Sequence, residues 1–107
     1  TKGLIVPPPE RVYEKSAWHL YPIRLAPKLA HRRDEIFAKL RVAGIGVQVH
    51  HVPVHQHPYY KDAGYKEGTC PNAECLVATS ISIPLYPSLS RADQNRIVAC
   101  LKKLLHE

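Results

Sequence analysis

The sequence predicts an α+β fold, in which a small antiparallel three-stranded sheet carries its helices on one face. Two segments place apolar residues at helical spacing, three short segments are rich in aromatic or branched residues, and the two kinds alternate along the chain. A chain of 107 residues, 45% hydrophobic and 22% charged, is suited to one folded domain. It has no run of about 18 apolar residues, which excludes a transmembrane helix, and no visible signal peptide. Three cysteines are too few for a disulfide scaffold and indicate a cytoplasmic protein.

The chain is predicted to divide into a lead-in or linker at residues 1–16 and a domain at residues 17–107. The apolar run at residues 4–6 is stopped by three prolines, which remove backbone donors and hold the chain extended. Residues 17–25 are rich in aromatic and branched side chains and predict the first strand. Because Pro22 cannot donate to a ladder, it indicates a sheet edge or a bulge.

Residues 31–43 predict the first helix. Asp34 and Glu35 lie in its first turn, where negative charge complements the helix dipole. Apolar residues recur on one stripe at Ile36, Phe37, Leu40 and Ala43. Gly44 then supplies a left-handed C-cap.

Residues 46–52 predict the second strand, with Val47 and Val49 on one face and Gln48 and His50 on the other. The long irregular segment that follows, residues 53–69, indicates a functional loop.

Asn72 predicts the N-cap of a short helix over residues 73–79, and residues 80–85 predict the third strand. Ser90 and Asp93 resemble a capping box for a final helix. That helix carries an apolar stripe of Ile97, Val98, Leu101, Leu104 and Leu105.

A right-handed crossover makes the first two strands parallel, and an antiparallel third strand fits between them. The helices then cover one face of the sheet. The other face is predicted either to be polar or to lie against a second domain.

Four histidines, His50, His51, His55 and His57, form the first candidate site. Neutral imidazole binds Zn²⁺ well, and His55 and His57 are spaced to approach one ion. Neighbouring residues of a strand point to opposite faces, however, so His50 and His51 do not easily share a metal, and no metal ligand is assigned. Two other interpretations stay open. The histidines fill polar niches in a loop, or a His- and Tyr-lined loop binds an anionic or sugar ligand.

Tyr59 and Tyr60 follow directly and offer rings suited to stacking on a base or a sugar, or to packing in the core. Cys75 and Cys100 are interpreted as small core residues rather than nucleophiles. The sequence contains no glycine-rich phosphate loop, serine elbow or paired-carboxylate motif, and no catalytic residue is assigned.

Four motifs follow one another along the chain: HLYPIRL at residues 19–25, GIGVQVH at 44–50, PVHQHPYY at 53–60 and PLYPSLS at 84–90. In series they resemble the C-terminal domain of the DegT/DnrJ/StrS family of pyridoxal-phosphate (PLP)-dependent sugar aminotransferases. The likeness is greatest to the pseudaminic acid branch, which aminates C4 of a UDP-linked 4-keto-6-deoxy amino sugar. It covers residues 4–105.

The resemblance implies the small domain of a fold-type-I enzyme whose large domain, absent from this chain, binds PLP through a Schiff-base lysine. The lysines here lack the family's lysine motif, so we expect no catalytic or cofactor-binding residue, no bound cofactor and no activity of the chain alone. The implied partners are a UDP-sugar substrate, glutamate as amino donor, the large domain of the same enzyme and a homodimer partner. Nucleic acid and membrane are not among them.

In the family, the loop after the second strand helps to form the sugar-nucleotide pocket near the dimer interface. Carried over residue by residue, this implies substrate binding by His50, His51, Val54, His55, Pro58 and Tyr60. Relatives usually have tyrosine at His51, where this chain has a shorter, titratable ring. An alternative interpretation, based on the net charge of +6 and the histidines, is a stand-alone basic module that binds metal or nucleic acid.

Overall fold

A computed structural model of the chain describes residues 3–107. The strands are β1 (Ile5–Val6), β2 (Tyr21–Leu25) and β3 (Ser80–Ile83). The α-helices are α1 (Arg33–Val42), α2 (Pro58–Asp62), α3 (Pro71–Thr79) and α4 (Arg91–His106). Two 3-10 turns, Pro27–Arg32 and Val54–Gln56, precede α1 and α2 respectively. Within the described residues, no helix has the length and apolar character needed to cross a membrane.

The strands form one antiparallel sheet in the order β1-β2-β3, which confirms the predicted α+β class. Gln48 adds an antiparallel bridge to Ser82 on the far side of β3. The third predicted strand therefore lies between the first two, as the crossover argument requires. The predicted extent of the second strand, residues 46–52, is wrong. Only Gln48 of this segment pairs with the sheet, through the single bridge to Ser82. The N–H of Val47 donates to the Ile45 carbonyl at 2.9 Å, and this tight local turn replaces a ladder bond.

The N-terminal apolar run, predicted as part of a lead-in, also joins the sheet. Ile5 pairs with Leu25 and Val6 with Arg24. β1 does not extend as far as Pro22, whose sheet partner is Ser82 of β3. Pro22 therefore has a strand on one side only, although β2 is central in the sheet, and its missing donor is tolerated there.

The core lies on one face of the sheet. Ile23 and Ile81 form a single buried cluster with α1 and α4. Ile36 and Leu40 are both 0% exposed, which confirms the predicted stripe of α1. The α4 stripe is likewise confirmed, apart from the exposed Val98, by Ile97, Leu101, Leu104 and Leu105. Each such side chain contributes about 1.5–3 kcal/mol when fully buried.

The opposite face of the sheet is polar. Residues paired across strands share a face, so Arg24 and Ser80 lie together, as do Ser82 and Gln48. The described residues therefore confirm polar pairs on this face, and a second domain lying against it stays a prediction. Ser80 and Ser82 are each only 6% exposed.

The helix ends follow the predictions in part. The hydroxyl of Ser90 accepts the N–H of Asp93 at 3.0 Å, which confirms the cap of α4. Gly44 has the expected left-handed φ, +73°. The predicted cap at Asn72 is wrong, because α3 begins at Pro71, whose fixed φ suits the first helical position.

Two further predictions concern where side chains lie. Cys75 is exposed, so its interpretation as a core residue is wrong, whereas Cys100 packs against the core as expected. The first predicted helix has a 3-10 start, and its α-helical part begins at Arg33 rather than at His31.

Candidate functional site

A cavity of about 230 Å³ lies where β3 leaves the sheet. Its walls come from the segment around the Gln48 bridge and from the residues that follow Ser82. Leu20, Leu85 and Tyr86 supply its larger apolar surfaces. The polar face of the sheet therefore ends in a partly apolar cavity.

A neighbouring groove shares Leu85 and Tyr86 with this cavity and is bounded by residues 17–19. Trp18 lies in it with a left-handed φ of 46°, which costs a residue with a side chain about 1–2 kcal/mol. Its ring stacks on Tyr21, with ring centroids 5.4 Å apart. The sequence predicts only a strand here, and no local motif indicates the left-handed turn.

His50 lines the cavity, and its Nε2 atom is buried without a hydrogen-bond partner among the described residues. The ring of His51 contacts that of His50 edge to face, with centroids 5.1 Å apart. The prediction that the two rings point to opposite faces is wrong, because the chain leaves the sheet after Gln48. His51 itself is exposed.

His55 is 7% exposed and pairs with Glu74 across the loop. The Nε2–H of His55 donates to Glu74 Oε1 at 2.6 Å, because an ionised carboxylate only accepts. The same carboxylate accepts the backbone N–H of Gly68 at 2.9 Å and that of Cys70 at 3.3 Å. The hydrogen bond from Gly68, and to a smaller extent that from His55, lowers the pKa of Glu74 from its ordinary value.

The aromatic residues of the loop form a separate cluster. Pro58 begins α2, and the ring of Tyr60 contacts those of Tyr59 and Tyr65 edge to face. Val54 is exposed on the preceding turn. Of the six predicted substrate-binding residues, His50 alone lines the cavity, His55 is held in a buried pair, and the others lie along the surface of the loop.

The described histidines do not come together around a common point where a metal ion could bind. Across residues 3–107, no group of three or more His, Cys, Asp or Glu side chains is placed to hold a metal ion. His55 is instead hydrogen-bonded to Glu74. Nε2 of His57 lies 3.2 Å from the carbonyl oxygen of Val52.

Comparison with known proteins assigns this architecture to a family. The family model described as the DegT/DnrJ/EryC1/StrS aminotransferase family matches residues 2–102. The spore coat polysaccharide biosynthesis protein SpsC of Bacillus subtilis is 39% identical over 94 residues, covering 85% of this chain and 24% of that protein. The UDP-4-amino-4,6-dideoxy-N-acetyl-β-L-altrosamine transaminase of Campylobacter jejuni is 35% identical over 95 residues, covering 89% and 25%.

Two solved structures show the same arrangement. The PLP form of the protein Spr1654 from Streptococcus pneumoniae superposes with a TM-score of 0.86 at 27% identity, covering 96% of this chain and 26% of that one. PseC of Helicobacter pylori, an aminotransferase of pseudaminic acid biosynthesis, gives a TM-score of 0.77 at 29% identity, covering 89% and 25%. The chain thus spans about a quarter of the length of these relatives.

Proposed function

Because this chain belongs to the DegT/DnrJ/EryC1/StrS aminotransferase family, we propose that it is the C-terminal small domain of a PLP-dependent aminotransferase that aminates C4 of a UDP-linked 4-keto-6-deoxy sugar. The observation that carries the proposal is the family match over residues 2–102. The named C. jejuni and H. pylori relatives support the pseudaminic acid pathway as the setting. A cytoplasmic location and glutamate as amino donor are part of the proposal.

Among the described residues, the lining of the cavity does not fit a PLP site of its own. PLP forms its Schiff base with a lysine amine, and its phosphate is held by cationic side chains or by backbone N–H groups such as those at a helix N-terminus. The cavity has neither lysine nor arginine among its described lining residues. Lys39 is held by Glu35 at 2.8 Å and Glu107 at 2.9 Å, and these contacts raise its pKa and favour the ammonium form. In this proposal the cofactor is bound by a large domain.

What the chain contributes, in this proposal, is one wall of the sugar-nucleotide pocket and a packing surface. His50, His51, Val54, His55, Pro58 and Tyr60 form the substrate loop. His55 acts through its buried pair with Glu74, which positions the loop. Val54 and Tyr59 are exposed on the same segment and are suited to packing against a large domain or a homodimer partner.

A domain exchange tests this function. The matched C-terminal segment of the C. jejuni transaminase is replaced by this chain, and the hybrid is assayed for C4 amination of the UDP-4-keto-6-deoxy sugar with glutamate. We expect the hybrid to form the amino sugar and a truncated enzyme without the segment to form none. A hybrid that folds and binds PLP but does not aminate the sugar would refute the proposed substrate.

A further inference from the structure

We infer that the groove bounded by residues 17–19 and 85–87 binds the base of the nucleotide sugar, which stacks on the exposed ring of Tyr86. The inference rests on the proposed function, which supplies a nucleotide sugar as the ligand. It deepens that function by assigning a site outside the 50–60 loop and the part of the ligand that this site takes.

The first argument is that the aromatic surface of this groove can be reached from solvent. Tyr86 is 49% exposed and Leu85 is 38% exposed, and both line the groove. An exposed aromatic ring offers a flat face on which a base stacks, and stacking removes apolar surface of both partners from water. The groove has a volume of about 500 Å³, within the range of about 300–1,000 Å³ that small-molecule sites occupy.

The second argument is that both aromatic residues of the groove are held by local contacts. Trp18 has a left-handed φ of 46°, its N–H donates to Ser16 Oγ at 3.1 Å, and its ring stacks on Tyr21. The carbonyl of Tyr86 accepts the N–H of Leu89 at 3.0 Å, which closes a turn. Strained residues such as Trp18 persist where surrounding contacts hold them, and they cluster at ligand-binding sites. A groove arranged in advance also loses less entropy when it binds a ligand.

The third argument concerns which part of a nucleotide sugar suits the groove. Its described lining contains no lysine, arginine, aspartate or glutamate. A surface without these charges suits an uncharged planar ring better than a diphosphate, which needs cationic partners. The hydroxyl of Tyr86 and the indole N–H of Trp18 are donors of the kind that the carbonyl oxygens of uracil accept.

The fourth argument is that the groove continues into the cavity beside β3. Leu85 and Tyr86 line both spaces, and His50, one of the six proposed substrate residues, lines the cavity. Neither described lining contains an aspartate or a glutamate, so no carboxylate there repels the diphosphate that joins the base to the sugar. The two connected spaces therefore suit a ligand that carries a ring at each end.

The test uses the fluorescence of Trp18, which is the one tryptophan of the chain and lines the groove. The chain is titrated with UMP, and ribose 5-phosphate, which carries a phosphate but no base, is the comparison ligand. We expect saturable quenching with UMP and none with ribose 5-phosphate, because stacking requires the base. Equal quenching by the two ligands, or no saturable quenching by UMP, would overturn the inference.

Two tyrosine variants locate the stacking surface. Tyr86→Leu removes the ring in the groove, and Tyr13→Leu is the matched control, because Tyr13 is 78% exposed and does not line the groove. Both changes lie at the surface, so both variants should remain folded with a similar Tm. We expect Tyr86→Leu to weaken UMP binding about five- to thirtyfold and Tyr13→Leu to leave it unchanged. Equal affinities of the two variants would contradict stacking on Tyr86.

The hybrid enzyme separates this inference from the proposed function. In the hybrid we expect Tyr86→Leu to raise the KM for the UDP-sugar about five- to thirtyfold. If the hybrid aminates the sugar and Tyr86→Leu leaves this KM unchanged, the inference fails and the proposed function stands. A lowered Tm with that unchanged KM would show that the groove packs against the large domain instead. If the hybrid does not aminate the sugar while the chain binds UMP through Tyr86, the proposed reaction fails and the base site stands.

Discussion

His55 and Glu74 are joined by a hydrogen bond of 2.6 Å between Nε2 and Oε1, although they lie 19 residues apart. Because the same carboxylate accepts the N–H of Gly68, one side chain connects the turn before α2 to the start of α3. The long segment that the sequence predicts as irregular is therefore closed into a loop. This closure holds the segment that carries His55, Pro58 and Tyr60, three of the six proposed substrate residues.

Replacing His55 by alanine should open this loop. His55→Ala leaves a cavity and removes the only side-chain donor that the described residues give to the Glu74 carboxylate, which keeps the N–H groups of Gly68 and Cys70. We therefore expect the free energy of unfolding to fall by about 1–3 kcal/mol in urea denaturation. The control is His57→Ala, which removes an exposed ring and should change it by less than about 0.5 kcal/mol. Equal losses in the two variants would show that the pair with Glu74 does not stabilise the loop.

The acid sensitivity of the fold should depend on Glu35. The hydrogen bond from Arg32, followed by that from Lys39, lowers the pKa of Glu35 from 4.5 to about 2. Since the folded chain favours the ionised form, this stabilisation is present above the ordinary pKa and is lost as the pH falls through the window between 4.5 and about 2. The effect is modest, because the ion pair is partly exposed.

Thermal melts across that window test the expectation. The Tm of the wild-type chain should fall on acidification, and Glu35→Gln should reduce the slope. Asp62→Asn is the control, because Asp62 forms no ion pair with any residue of the 3–107 range. An unchanged slope in Glu35→Gln would contradict the assigned cause.

Gly44 should be the less replaceable of two glycines after α1. Its φ is +73°, and an added Cβ would lie 3.3 Å from Nη2 of Arg96, whose guanidinium donates to the Ala43 carbonyl. We expect Gly44→Ala to cost about 1–2 kcal/mol of unfolding free energy. At Gly46 the added Cβ meets nothing within 4 Å, so Gly46→Ala should be nearly neutral. Comparable losses in both variants would contradict this explanation.

Local sequence patterns predict those features of the fold that depend on residues close together in the chain. The stripe of Ile36 and Leu40 and the cap at Ser90 depend on residues within one or two turns, and the structure confirms both. The position of β3 between its neighbours follows from a topological rule that needs only the order of elements.

Other features depend on contacts between distant parts of the chain. The pairing of Ile5 with Leu25, and of His55 with Glu74, joins segments about 20 residues apart, and no local pattern indicates either contact. The cavity at Ser82 likewise requires two separate segments to meet. The sequence therefore points to the loop only through its resemblance to the family, and no local pattern indicates the cavity beside β3.

The most direct test of the account is the KM of the hybrid enzyme for the UDP-4-keto-6-deoxy sugar when His51 is replaced by alanine. His51 is exposed on the substrate loop, so the change should leave the fold intact, and His31→Ala, on an exposed residue of the first 3-10 turn, is the control. The account predicts a KM for the sugar raised about five- to tenfold, with the KM for glutamate unchanged. Equal KM values for the sugar in the wild-type, His51→Ala and His31→Ala hybrids would contradict a substrate-binding role for this loop.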